Sequence, residues 1–344
     1  MKNSIYHILI ILLFFCSPHF GQQYTHNGLN LNIGVGTLLG HLDRISHLPQ
    51  KHSTLVNISY IKYSNFEPNF GVGFNYINSG NKKNIGNIYG LYGFTKLRLS
   101  KKDSTFKFKI GFGTGYVEKI FDPSENNKNI AIGSHLNANV IFFVEKEFLI
   151  HNNAIYLGAG ITHFSNGSFQ TPNLGLNFLS LNLGYTLYSS KKEPTTPQVN
   201  LSANKKKWSL GLEYTAGIRE NFEHFRKKYS LQTFRTYFIY NKRKKRNYIG
   251  GLDIIYNPSV RYYNISTSPI QIGLFIGKKW ILNQLELGID MGIYTFDQYK
   301  GNGLAYQRLV IGYYISKNIK TSFALKSHWT VAQAFQLGIA YELK

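Results

Sequence analysis

The stretch Asn153-Ala154-Ile155-Tyr156-Leu157-Gly158-Ala159-Gly160-Ile161-Thr162-His163-Phe164-Ser165-Asn166 decides how the chain is read. Taken as a β-strand, its successive side chains point to opposite faces. One face carries Ile155, Leu157, Ala159, Ile161, His163 and Ser165, and the other carries Tyr156, Gly158, Gly160 and Thr162. An imidazole and a hydroxyl thus end an otherwise apolar stripe. A general base beside a nucleophile on a greasy surface is what an enzyme that attacks a lipid would present.

The same two-residue period recurs along the chain. Leu29, Leu31, Ile33 and Val35 alternate with Asn30, Asn32, Gly34 and Gly36. Phe106, Phe108, Ile110 and Phe112 alternate with Lys107, Lys109, Gly111 and Gly113, and Leu285 to Ile293 alternates with Glu286, Gly288, Asp290 and Gly292. Segments with one apolar face and one Gly-rich, sometimes charged face predict an all-β fold, an antiparallel transmembrane β-barrel. A soluble sandwich also alternates, but Gly weakens a strand interior and rarely fills an outward face. There are about sixteen such segments, in two sets of about eight. One set runs from Asn27 to Tyr188 and the other from Trp208 to Leu343. Alternation alone is compatible with one large barrel or with two eight-stranded ones.

The first residues read as an export signal: Lys2, an apolar run from Ile8 to Phe15, then small and turn-forming residues. The expected division is a signal peptide (1–21), a first repeat (22–190), a polar Pro-containing linker (191–207) and a second repeat (208–344). The one cysteine, Cys16, lies inside the signal, so neither disulfides nor thiolate metal sites carry the fold. The net charge of +22 suits the phosphates of lipopolysaccharide or anionic lipids, or else solvated loops. Export removes nucleic acid from the expected partners. His41, Asp43, His47 and His52 crowd the first loop without the fixed spacing of a metal site and read as solvated, as does the basic run Lys242 to Arg246.

An exported barrel starts on the periplasmic side, so its odd-numbered strands run outward. The His163 strand is the seventh, which predicts His163 and Ser165 on the lipid-facing wall near the outer leaflet. If the following hairpin is symmetric about Gln170, Asn177 stands across from His163. Ser165, His163 and Asn177 then form a nucleophile, a base and a group that orients the base. Backbone N–H groups near Asn166 and Gly167, or the Asn166 side chain, are the candidate oxyanion donors. The second half echoes the first in Lys326-Ser327-His328-Trp329-Thr330, but there His328 shares the face of Ser322, Ala324 and Lys326, which reads as a degenerate copy.

His163-Phe164-Ser165-Asn166-Gly167, followed by Pro172-Asn173-Leu174-Gly175, Asn177 and Leu183-Gly184-Tyr185, resembles the PagL-type outer-membrane lipid A 3-O-deacylases, some of which are named acyloxyacyl hydrolases. The resemblance implies an eight-stranded barrel with its site on the outer wall, hydrolysing an acyl ester of lipid A without a cofactor or metal. It assigns His163 as base, Ser165 as nucleophile and Asn166 to the oxyanion hole. One position departs from the pattern: the family has a glutamate where this chain has Asn177. No Asp or Glu lies between Glu147 and Glu193, so a carboxylate would have to come from a distant loop, for example as Asp43. The expected activity is removal of an ester-linked acyl chain from lipid A or a related outer-leaflet lipid. The rival expectation is a non-catalytic outer-membrane barrel, structural or a small pore, with a vestigial site.

Overall fold

The computed structural model describes residues 24–64, 69–100, 103–151, 153–189, 207–221, 227–243, 246–282, 284–329 and 331–343. The expected signal peptide and nearly all of the linker fall outside the described residues. The first eight strands are β1 (Tyr24–Leu38), β2 (Ser53–Ser64), β3 (Asn69–Asn78), β4 (Asn87–Arg98), β5 (Phe106–Val117), β6 (Leu136–Ile150), β7 (Asn153–Ser165) and β8 (Leu176–Tyr188). The second eight are β9 (Trp208–Glu220), β10 (Lys228–Arg243), β11 (Arg246–Tyr256), β12 (Ile270–Leu282), β13 (Leu285–Phe296), β14 (Ala305–Tyr314), β15 (Ile319–His328) and β16 (Val331–Leu343).

Closure resolves what alternation leaves open. Strand β8 returns to β1 in a ladder running from Gly28↔Tyr188 to Leu38↔Phe178. Strand β16 returns to β9 from Gln336↔Gly217 to Leu343↔Leu210. The chain therefore forms two closed, antiparallel, eight-stranded barrels. Each satisfies its own backbone groups, the condition a sheet must meet inside hydrocarbon.

The outward faces are the apolar stripes. Leu31, Ile33 and Val35 on β1, Leu181 and Leu183 on β8, and Leu337 and Ile339 on β16 all stand exposed. The inward faces carry Gly opposite bulky tyrosines: a side chain on Gly184 would collide with the Tyr156 ring, and one on Gly292 with Tyr306. Several interior charges are paired, which offsets the cost of burying them, while Lys326 is held by the Tyr294 hydroxyl and Gln333 Oε1. Lys96 Nζ lies 2.7 Å from Glu145, and Arg235 bridges Asp253 at 2.6 Å and Asp290 at 2.8 Å.

The long connections of the first barrel, 39–52, 79–86, 118–135 and 166–175, gather at one end. That is the extracellular end in barrels of this kind. Beneath these loops Leu38, Ile45, Leu55, Val117, Phe164 and Phe178 pack into a buried cluster that fills the mouth of the barrel. The second-half histidine, His328, points into its own lumen, where it meets the Tyr294 hydroxyl at 2.9 Å and is only 7 % exposed.

Candidate active site

The β7–β8 ladder sets His163 opposite Asn177 and Phe164 opposite Leu176, the register that symmetry about Gln170 requires. The pleat then sorts the side chains. Phe164 and Phe178 turn inward, packed edge to face with ring centroids 6.3 Å apart in the apolar plug. His163, Ser165 and Asn177 turn outward. Backbone pairing and a filled mouth hold this short hairpin from two sides, so the polar trio sits on a rigid support.

His163 Nδ1–H donates to Asn177 Oδ1 at 2.7 Å. That tautomer leaves Nε2 free to accept from the Ser165 hydroxyl at 2.9 Å. The two contacts run in one line: carbonyl oxygen, imidazole, hydroxyl. A hydroxyl whose proton already points at a neutral imidazole is set up for transfer when it attacks a carbonyl. Ser165 is 6 % exposed, so little water competes at that oxygen.

The connection after Ser165 is folded around Asn166. Its backbone N–H donates to Asn173 Oδ1 at 2.9 Å, and its Nδ2 donates to Ser134 Oγ at 2.7 Å and to the Gln170 carbonyl at 2.8 Å. In this structure the Asn166 donors all bind within the loops. Gly167 follows with a left-handed φ of 61°, and its N–H has no hydrogen-bond partner among the described residues. Gly175, at φ 84°, closes the far side of the loop, and a Cβ there would lie 2.7 Å from His163 Cε1. Only glycine allows this backbone to approach the imidazole so closely.

The distant loop supplies a histidine, where the sequence pointed to Asp43. Asn177 Nδ2 donates to His41 Nδ1 at 3.2 Å. Among the described residues no carboxylate hydrogen-bonds to His163 or Asn177, whose partners are Ser165 and His41. His47 turns away, with Nε2 2.9 Å from the Lys128 carbonyl, so the first-loop histidines do not converge. The sequence places His41 in a solvated loop and gives no sign of its contact with Asn177, which spans a long loop and follows no local spacing.

Comparison with known families then bears on the whole chain. Residues 52–186 match lipid A 3-O-deacylase (PagL), and residues 206–344 match the acyloxyacyl hydrolase C-terminal domain, PagL_C. The chain belongs to the PagL family. The first match contains His163, Ser165 and Asn177, and the second covers the barrel whose histidine faces inward. PagL-family membership makes this a protein of the lipid A deacylase group, and with the barrel fold it points to the Gram-negative outer membrane. A comparison with curated protein sequences returns no match. Among solved structures, the chain is similar to the siderophore receptor PirA of Pseudomonas aeruginosa at 9 % identity and a TM-score of 0.23, over 94 % of this chain and 82 % of that one. It is similar to Salmonella typhi OmpF at 10 % identity and a TM-score of 0.19, over 94 % and 98 %. A third is OccK1 of Pseudomonas aeruginosa, at 11 % identity and a TM-score of 0.24, over 92 % and 98 %. These likenesses bear on neither substrate nor mechanism.

Proposed function

We propose that this PagL-family protein is an exported outer-membrane serine esterase that removes one ester-linked acyl chain from lipid A or a related outer-leaflet lipid. The first repeat (22–190) carries the site, and in the second (208–344) the corresponding histidine, His328, faces the lumen. The observation that supports this reading is the unbroken Ser165–His163–Asn177 hydrogen-bonded line on the outer wall, at the long-loop end of the barrel.

Ser165 Oγ attacks the acyl carbonyl carbon while its proton passes to His163 Nε2. The carbonyl oxygen becomes an oxyanion, for which the Gly167 N–H, two residues after the nucleophile, is the candidate donor. Collapse breaks the ester C–O bond, and His163 returns the proton to the departing sugar oxygen. A water, losing its proton to the same imidazole, then attacks the acyl-serine carbonyl; the C–Oγ bond breaks, His163 passes that proton to Ser165 Oγ, and the fatty acid leaves. Asn177 holds the Nδ1–H tautomer throughout and stabilises the transient imidazolium only as a dipole. The acyl chain stays in hydrocarbon beside Leu179, Leu181 and Leu183, so the reacting ester need not leave the leaflet.

The test is incubation of the refolded protein with lipopolysaccharide, followed by mass spectrometry of the lipid A. Wild type is expected to yield lipid A lighter by one acyl chain and Ser165→Ala to leave it intact, a loss of at least about a thousandfold. Intact lipid A with both proteins overturns the reading.

A further inference from the structure

The loop that follows Ser165 is held as much by the second barrel as by its own. Asn166 and Gln170 are tied within the first barrel through Ser134 and each other. The residues between and beside them are tied elsewhere. Phe335 of β16 lies against Gly167, filling the space a side chain there would need. Ser168 Oγ donates to the Ala332 carbonyl at 2.6 Å, and the Glu220 N–H donates to the Ser168 carbonyl at 2.8 Å. The Thr171 N–H donates to Glu220 Oε2 at 3.3 Å, and Lys228 Nζ stands 3.7 Å above the Phe169 ring. Ser168 adopts a left-handed φ of 64°, a conformation a non-glycine residue keeps only under outside constraint.

These contacts rest on a firm base. Phe335 packs on Phe323 at 5.0 Å between ring centroids, and Phe323 packs on Phe112 of the first barrel's β5 at 5.2 Å. Glu220 is 2 % exposed. The aromatic stack bridges the two barrel walls, and Phe335 is the member that reaches the reactive loop.

We propose that the second barrel is a positioning element for the first barrel's chemistry, with Phe335 and Glu220 as its positioning residues. They fix the 167–171 backbone so that the Gly167 N–H faces the oxygen that becomes negative during attack. This rests on the esterase reading above. It assigns work to a barrel whose own histidine, His328, faces its lumen. Because the contribution acts on charge present only in the transition state, it belongs to kcat and leaves KM nearly unchanged.

The experiment measures fatty-acid release from lipopolysaccharide in mixed micelles by full-length variants whose folding is verified by heat-modifiable migration. Phe335→Ala and Glu220→Ala are each expected to lower kcat by about tenfold or more, with KM within about twofold. Glu220→Gln, whose amide oxygen still accepts from Thr171, is expected to keep most of the activity. Leu337→Ala, on the exposed face of the same β16, is expected to match wild type. An active wild type with unaltered kcat in both alanine variants overturns this inference and leaves the esterase reading intact, as does a rise in KM alone. A wild type that leaves lipid A intact overturns the esterase reading, and this inference falls with it.

Discussion

Asn177→Asp is the sharpest perturbation of the site, because it adds the charge the family pattern has and keeps this chain's geometry. Asp and Asn are isosteric, so an oxygen stays 2.7 Å from His163 Nδ1. The imidazolium charge is centred roughly 4 Å from the carboxylate, an attraction of about 4 kcal/mol at an effective dielectric near 20. Part of that is lost, since the imidazole bears only part of the charge at the transition state. The variant also gives up the 3.2 Å bond from Asn177 Nδ2 to His41. About 2 kcal/mol of extra transition-state stabilisation remains, worth roughly thirtyfold in kcat. KM should hardly move, because the neutral imidazole of the ground state gains little from the charge. Glutamate, one methylene longer, overshoots the Nδ1 position from this Cα and should gain less than aspartate. The assay is steady-state fatty-acid release at neutral pH. A folded Asn177→Asp protein with kcat at or below wild type would refute the claim that the missing carboxylate limits this site.

Other outcomes follow from the loops around the site. Gly175→Ala forces an alanine to φ 84° with its Cβ against His163 Cε1, so activity should fall by about tenfold while the barrel still folds; undiminished activity would mean that the imidazole has slack there. At the outer end of β5, the Glu118 carboxylate accepts from the Asn87 N–H at 2.7 Å and from the Tyr89 hydroxyl at 3.0 Å. The Asn87 N–H above all holds its pKa below the ordinary 4.5. A lowered folded value means the contribution to stability is present above about pH 4.5 and is lost as pH falls below it. Thermal unfolding in detergent should therefore steepen in acid for wild type and flatten for Glu118→Gln; identical acid profiles would exclude the carboxylate as the cause.

Much of this architecture was legible in alternation. The apolar stripe Ile155 to Ser165 reports the wall on which His163 sits, because a strand's parity is local and barrels keep it over their full height. The Asn177 register was legible for the same reason, once the hairpin was centred on Gln170. The number of barrels was not, since sixteen alternating segments look alike whether β8 goes on to β9 or returns to β1. Ladder closure is a long-range choice that leaves no mark on the period of either strand. Loop chemistry was hidden too. Asn166 carries an amide suited to an oxyanion hole, yet Ser134 and Asn173 draw it into the loop, and neither contact has a sequence spacing that announces it. The carboxylate sought in Asp43 proved to be an imidazole, His41, for the same reason.

The contact between Phe335 and Gly167 also bears on how the protein behaves when sparse in its membrane. A neighbour recruited by dimerisation is lost whenever lateral dilution exceeds the affinity of the interface. Here the neighbour is the second half of the same polypeptide, so its effective concentration beside the site is set by the connecting segment and not by copy number. Turnover per molecule should then be as high for one isolated chain in a large expanse of lipid as for a crowded patch.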